Sequence, residues 1–176
     1  MQTLDGALAK LKSSILKLPA KKQNILTSWI VSWSYYLEKE SSFNPDKLLY
    51  YKRGDILYID FGFNIGNEYG GIHYAAVIEN NNNKRNGNIV VIPLTSLASG
   101  KTVADIPKTD LYIGDNIIPW TDSATVAKPN QIRTISKMRI VKPVTVNDKI
   151  ARLDGNQLNL IDERLKQIIF KIDIKS

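Results

Sequence analysis

The sequence predicts an α+β protein that is mostly β: a small, partly closed barrel with a C-terminal helix, preceded by an N-terminal helical hairpin. Near both ends of the chain, apolar residues recur at steps of three and four, the period of an amphipathic helix. Between these segments, five or six short runs rich in Ile, Val, Leu and Tyr are separated by turn residues. Such a succession of short strands is typical of a small barrel.

The first forty residues predict two helices. The stripe of the first helix, over residues 4–18, contains Leu4, Leu8, Leu11, Ile15 and Leu18. The stripe of the second helix, over residues 20–40, contains Leu26, Trp29, Trp33 and Tyr36. Pro19 separates them, so we expect an antiparallel hairpin. Because large aromatic side chains at helical spacing usually pack inside, Trp29 and Trp33 are predicted to form the core of the hairpin. The alternative is a surface for a partner protein or a second subunit.

A turn-rich segment, SSFNPD at residues 41–46, follows the second helix. It predicts a boundary between a hairpin extension with its linker, residues 1–46, and a barrel domain, residues 47–176. The total of 176 residues fits one domain with a small appendage.

The barrel begins with three apolar runs that flank the loops 62–71 and 80–87. All the predicted strands, in order, are 55–61, 74–79, 89–94, 102–107, 124–135 with an interruption at Pro129-Asn130, and 138–143. Residues 110–120 are expected to be irregular. Residues 156–170 predict a helix that packs on the barrel through Leu158, Ile161, Leu165 and Ile168.

Composition excludes several classes of protein. The chain has no cysteine, which excludes disulfides and thiolate metal sites, and the cytoplasm is the predicted location. No run of about 20 apolar residues is present, so no membrane association is expected. One histidine and scattered carboxylates predict neither a metal nor a cofactor site. The net charge of +7 suits a polyanionic partner such as nucleic acid, although many proteins this basic bind none.

Four short motifs follow one another along the barrel. They are Lys52-Arg53-Gly54-Asp55, Gly66-x-Glu68-x-Gly70-Gly71, Thr95-Ser96 and Gln131-Ile132-Arg133-Thr134. In this order and spacing, over roughly residues 52–170, the chain resembles the MazF/PemK family of toxin endoribonucleases. The resemblance implies an SH3-like barrel of the CcdB/MazF type, a homodimer, single-stranded RNA as substrate, and a cognate antitoxin protein. One departure concerns the family's Gly-Gly-x-Arg-Pro, whose arginine is catalytic, because His73 occupies the arginine position here.

The resemblance also implies a chemistry that uses no metal. The 2′-hydroxyl of the RNA attacks the phosphate and gives a cyclic phosphate and a 5′-hydroxyl, which requires a base, an acid and a charge stabiliser. Thr95 matches the family's catalytic threonine. His73 titrates near neutral pH and can transfer protons, so charge stabilisation falls to Arg53 or Arg133. Glu68 can orient His73 or an arginine, or accept a proton itself. Alternatively, the site has lost catalysis and only binds.

A set of loop and strand-end residues is predicted to contact RNA. This set contains Arg53, Asn64, Asn67, Tyr69, Gly70, Gly71, Lys84, Arg85, Ser96 and Gln131. Tyr69, with Phe63 and Tyr74, is expected to stack on bases. Lys84 and Arg85 are expected to contact phosphates. Two other functions stay open: a CcdB-like protein that acts on DNA gyrase, and a nucleic-acid-binding module without toxicity.

Overall fold

The computed structural model describes residues 3–118 and 121–170, and the chain forms two compact units. The first unit extends to Phe43 and the second begins at Asn44. In the described ranges, no helix is long and apolar enough to cross a membrane.

The first unit contains the two predicted helices, α1 (Leu4–Ile15) and α2 (Ala20–Lys39). The Thr3 hydroxyl caps α1 by accepting a hydrogen bond from the Gly6 N–H at 3.2 Å. Neither helix contains a buried residue, and Trp33 is 50% exposed. The prediction that Trp29 and Trp33 form a hairpin core is therefore wrong. A unit of only two helices has too little apolar surface to enclose side chains of this size.

The second unit is built on an antiparallel sheet of seven strands, followed by one helix, α3 (Gly155–Phe170). The strands are β1 (Ile56–Asp60), β2 (Ile72–Val77), β3 (Asn88–Ser96), β4 (Leu111–Asp115), β5 (Ala124–Ala127), β6 (Arg133–Ser136) and β7 (Ile140–Lys142). Their order is β4-β5-β3-β2-β1-β7, and β6 also pairs with β3. The predicted α+β fold class is confirmed.

Strand β3 is the centre of this sheet. On one side it pairs with β2, and on the other it pairs first with β6 and then, from Leu94 onward, with β5. A central strand that changes partner along its length fits a sheet that closes into a small barrel.

Two segments differ from the prediction. Residues 102–107 are not a strand, because Thr102 and Asp105 form a capping box that closes a 3₁₀ turn at Val103–Asp105. Residues 111–115, expected to be irregular, form β4, whose register shifts near Gly114. Part of the expected irregular stretch, Pro119 and Trp120, lies outside the described residues.

The apolar core lies on both faces of the sheet. Because side chains alternate along a strand, Leu57 and Ile59 of β1 join one buried cluster and Ile56 joins the other. Helix α3 covers the second cluster with Ile161, which is fully buried. Burial of such a side chain contributes about 1.5–3 kcal/mol. The predicted packing of this helix is confirmed for Leu158, Ile161 and Leu165, whereas Ile168 is exposed.

A chain that begins at Asn44 is expected to keep its fold. Within the described ranges, the buried apolar residues run from Tyr51 to Ile161, all within the second unit. The sheet signal in circular dichroism and a cooperative thermal transition should both persist. Loss of the sheet signal after removal of residues 1–43 would show that the barrel depends on the helices.

Candidate active site

The candidate site lies where β2 begins and β3 ends. These strands are antiparallel and place Ala75 opposite Pro93. His73 lies two residues before Ala75 and Thr95 lies two residues after Pro93. Because the strands run in opposite directions, both side chains lie on the same face of the sheet. A cleft of about 190 Å³ opens here, lined in part by His73, Thr95 and Ser96. The structure thus brings together the imidazole and the two hydroxyls that the sequence predicts.

The loop before β2 is closed by its own backbone. The Gly71 N–H donates to the Gly62 carbonyl at 2.7 Å, and the Phe61 N–H donates to the Gly71 carbonyl at 2.8 Å. A Cβ at Gly70 would lie 2.7 Å from the Gly62 carbonyl oxygen, so only glycine fits there. Asn64 holds the loop by donating to the carbonyls of Phe61 at 3.1 Å and Tyr69 at 2.7 Å. In this structure Asn64 and Gly70 shape the loop.

His73 is half-buried beside this loop. Its ring packs on that of Tyr69, with 4.6 Å between the centroids, and an imidazole N–H donates to the Gly70 carbonyl. Burial lowers the pKa of His73 below its ordinary value, the nearby charge of Lys128 lowers it further, and the bond to Gly70 opposes both. A neutral imidazole that donates from one nitrogen can accept a proton at the other.

Tyr69 connects His73 to Thr95. Its hydroxyl lies 3.4 Å from the Leu94 carbonyl and shares a hydrogen bond with the Thr95 side chain. Its ring also meets Phe61 edge-on, at a centroid distance of 5.8 Å. Burial raises the pKa of the Tyr69 phenol, so it stays protonated at neutral pH. The sequence predicts that the Tyr69 ring stacks on bases, and in the structure this ring packs against the His73 imidazole.

Gln131 and Arg133 join the same cluster from the start of β6. The Gln131 side-chain oxygen accepts from the Tyr69 N–H at 3.0 Å and from Arg133 at 3.1 Å. The Gln131 amide donates to the Asn67 carbonyl at 3.3 Å. The Arg133 guanidinium lies 5.5 Å from the centre of the Phe61 ring. In the Gln131-Ile132-Arg133-Thr134 motif, Gln131 therefore holds the loop that precedes β2, and Arg133 places a positive charge behind that loop.

Lys128 is a residue of this cluster that sequence reasoning missed. It follows β5, and its N–H donates to the Pro93 carbonyl at 3.0 Å. Its ammonium lies 5.8 Å from the centre of the Tyr69 ring and 2.7 Å from the carboxylate of Asp110, which is only 7% exposed. The one signal in the sequence was its position three residues before the Gln131 motif.

Other predicted site residues lie elsewhere. Arg53 donates to the Asp162 carboxylate of α3 and to the carbonyl of Ile78, five residues beyond His73. Five strand residues span about 16 Å, so Arg53 contacts the opposite end of β2. Lys84 and Arg85 occupy the loop at that same end, where Arg85 is 3.9 Å from Asp46 and largely exposed.

Glu68 is exposed in the loop that precedes β2. Within residues 3–118 and 121–170, no group of three or more His, Asp or Glu side chains could hold a metal ion.

Comparison with known proteins gives consistent matches to one family. The family described as "PemK-like, MazF-like toxin of type II toxin-antitoxin system" matches residues 52–169. The chain is 29% identical over 122 residues to Endoribonuclease EndoA of Bacillus subtilis (strain 168), covering 69% of this chain and 97% of that protein.

Two solved structures are also similar. MazF from Deinococcus radiodurans has a TM-score of 0.51 at 16% identity, covering 69% of this chain and 98% of that one. An endoribonuclease in complex with its cognate antitoxin, from a mycobacterial species, has a TM-score of 0.48 at 17% identity, covering 70% and 99%. The match to the Deinococcus structure shows the fold, and the family match begins after the first compact unit ends.

Proposed function

The chain belongs to the PemK-like, MazF-like toxin family of type II toxin-antitoxin systems, and on that premise we propose that it is an endoribonuclease that cuts single-stranded RNA. The observation that carries the proposal is the cleft at the ends of β2 and β3. There a half-buried imidazole with a lowered pKa lies on the same face as the Thr95 hydroxyl. These are a proton acceptor and a hydrogen-bond donor, which cleavage of a phosphodiester requires.

In the proposed reaction, neutral His73 takes the proton from the 2′-hydroxyl of one nucleotide. The 2′-oxygen then bonds to the adjacent phosphorus while the bond from phosphorus to the 5′-oxygen breaks. The imidazolium returns its proton to the departing 5′-oxygen. The products are a 2′,3′-cyclic phosphate and a 5′-hydroxyl, and no atom or proton is left over.

Charge that grows on the phosphoryl oxygens needs other donors, because a neutral imidazole does not replace a guanidinium. We assign this role to the Thr95 hydroxyl, which lines the cleft, with Ser96 beside it. Arg133 and Lys128 lie behind the loop and add positive potential. Lys128 also favours the neutral form of His73, which is the form that accepts a proton.

The family also suggests partners. A type II system pairs its toxin with a protein antitoxin, so we propose a cognate antitoxin as partner and a homodimer as the working assembly. The first unit, outside the family match, is proposed as a separate N-terminal domain with a boundary near residue 46.

The function is tested by incubating the purified protein with single-stranded RNA in the presence of EDTA. We expect cleavage to proceed, because the proposed proton transfer uses only side chains, and to leave 5′-hydroxyl ends that polynucleotide kinase labels without prior dephosphorylation. Thr95→Ala protein purified in parallel detects contaminating ribonuclease, since a contaminant would cut equally in both samples. Intact RNA together with inhibited DNA gyrase would instead support the CcdB-like alternative.

A further inference from the structure

A second cavity lies next to the cleft. It has a volume of about 210 Å³, and the pair Tyr58 and Tyr74 lines both this cavity and the cleft that holds His73. The tyrosines face each other across β1 and β2, with 4.8 Å between their ring centroids. Because side chains alternate along a strand, Tyr74 lies on the face of β2 opposite that of His73, and the two cavities meet at the tyrosine pair that lines both.

The lining of the second cavity carries more positive than negative charge, with two lysines and one aspartate. Lys142 of β7 lies directly opposite Tyr58 in the sheet, and Lys149 lines the same cavity; both are exposed. One carboxylate, Asp148, also lines it. An oxygen of Asp148 is already occupied by the N–H groups of Val144 and Thr145 at 2.9 and 2.8 Å and by the Thr145 hydroxyl at 3.0 Å.

We propose that this cavity is a nucleotide subsite, in which a base next to the scissile phosphate stacks on Tyr58 while Lys142 and Lys149 hold its backbone phosphate. The inference rests on the proposed function and extends it. Every base presents a π-face, so an aromatic platform binds single-stranded RNA with little regard to sequence, and flanking lysines add the phosphate attraction. None of Tyr58, Lys142 and Lys149 is needed for proton transfer at His73.

The shape and charge favour a nucleotide over a protein segment. The cavity has a volume of about 210 Å³, two aromatic rings form part of its lining, and its charged side chains are two lysines and one aspartate. It also shares Tyr58 and Tyr74 with the cleft, so the two cavities are neighbours. A second copy of the chain seated on this face is the competing occupant, and the test separates the two.

Binding is measured by fluorescence anisotropy with a labelled, random-sequence single-stranded RNA that carries 2′-fluoro groups and so cannot be cut by 2′-hydroxyl attack. Tyr58→Ala should weaken Kd by roughly 5- to 150-fold, the usual range for loss of one stacking partner. Tyr58→Phe keeps the ring and should bind like the wild type. Each of Lys142→Gln and Lys149→Gln should lower the slope of log Kd against log salt by roughly 0.7.

Lys166→Gln is the matched control, because Lys166 is an exposed lysine on α3, away from the cavity lining. If it lowers the salt slope as much as the cavity lysines do, the charge effect is general and the subsite is wrong. If Tyr58→Ala changes the molecular mass by light scattering and affects binding only through that change, the cavity is a protein interface. If the wild type cuts RNA and Tyr58→Ala binds RNA as well as the wild type does, the subsite is wrong and the proposed function stands. If the wild type neither binds nor cuts RNA, the proposed function is wrong.

Discussion

Replacement of His73 with alanine is expected to lower the rate of RNA cleavage by roughly 10²- to 10⁴-fold, the usual contribution of a positioned general acid–base group. The imidazole lines the cleft and is the group there whose ordinary pKa lies nearest to neutral. Fold stability should change little, because His73 is only partly buried at the start of β2. Single-turnover cleavage of a labelled RNA measures the rate, and a thermal melt checks the fold.

The dependence of this rate on pH identifies the role of His73. A general base must be neutral, so the rate should fall as pH drops through the pKa of His73. Burial first, and then the charge of Lys128, lower that pKa, so the midpoint should lie below the ordinary value of about 6.5. In the His73→Ala variant, the residual cleavage rate should not show this fall at low pH.

His73→Arg restores the family's usual residue and is the sharper comparison. An arginine stays charged throughout and can stabilise a phosphate, but it does not shuttle protons at neutral pH. If His73 transfers protons, the arginine variant should be slow or should lose the limb below pH 6.5. An arginine variant as fast as the wild type would show that His73 acts through charge. Equal rates for wild type and His73→Ala between about pH 5 and 9 would remove it from the mechanism.

Thr95→Ala is expected to lower cleavage by about 10²- to 10³-fold, as the loss of a donor to a developing oxyanion commonly does. The hydroxyl lines the cleft, whereas the backbone of Thr95 keeps its pairing with Val126 of β5. The variant loses the hydrogen bonds of this hydroxyl to the Tyr69 side chain and to the Ser96 carbonyl, and each such loss costs about 1 kcal/mol of folding free energy. Activity should therefore fall far more than stability.

Two neighbouring changes serve as controls for Thr95. Thr95→Ser keeps the hydroxyl and should retain most of the activity, while Ser96→Ala removes the adjacent hydroxyl of the same cleft and should have a smaller effect. Denaturant titration gives the free energy of unfolding for each variant. A fall in stability large enough to account for the lost activity of Thr95→Ala would make Thr95 a structural residue.

Local patterns in the sequence predicted most of the elements. The helix at 4–15 and the strand at 56–60 follow directly from the spacing of their apolar residues. The spacing of apolar residues shows that a helix is amphipathic, but it does not show what covers the apolar face. Trp33 is therefore predicted to lie in a core, whereas it is half-exposed. The strand predicted at 102–107 failed because side-chain capping by Asp105, a local polar effect, outweighs β-propensity there.

The site was predictable only where a motif marks it. His73 and Thr95 were found because each lies in a family motif at a strand end. The role of Lys128 depends on Asp110, which reaches it through the pairing of β4 with β5, and no local pattern reveals that register. Arg53 lies in a motif and is predicted to belong to the site, but its guanidinium contacts Asp162 of α3 instead. Asp162 lies 109 positions later in the chain, so no local pattern indicates this contact.

The central position of β3 has a consequence for synthesis of the protein on the ribosome. This strand can pair with β2 as soon as it emerges, but its other edge stays open until β5 and β6 follow. At ~5–20 residues per second, the roughly forty residues from Thr95 to Arg133 take roughly 2–8 s to translate. Pairing of β2 with β3 in that interval would bring His73 and Thr95 side by side before Gln131, which fastens the loop beside them, has been made. We therefore expect the cleft to be complete only after β5, β6 and Gln131 have been made.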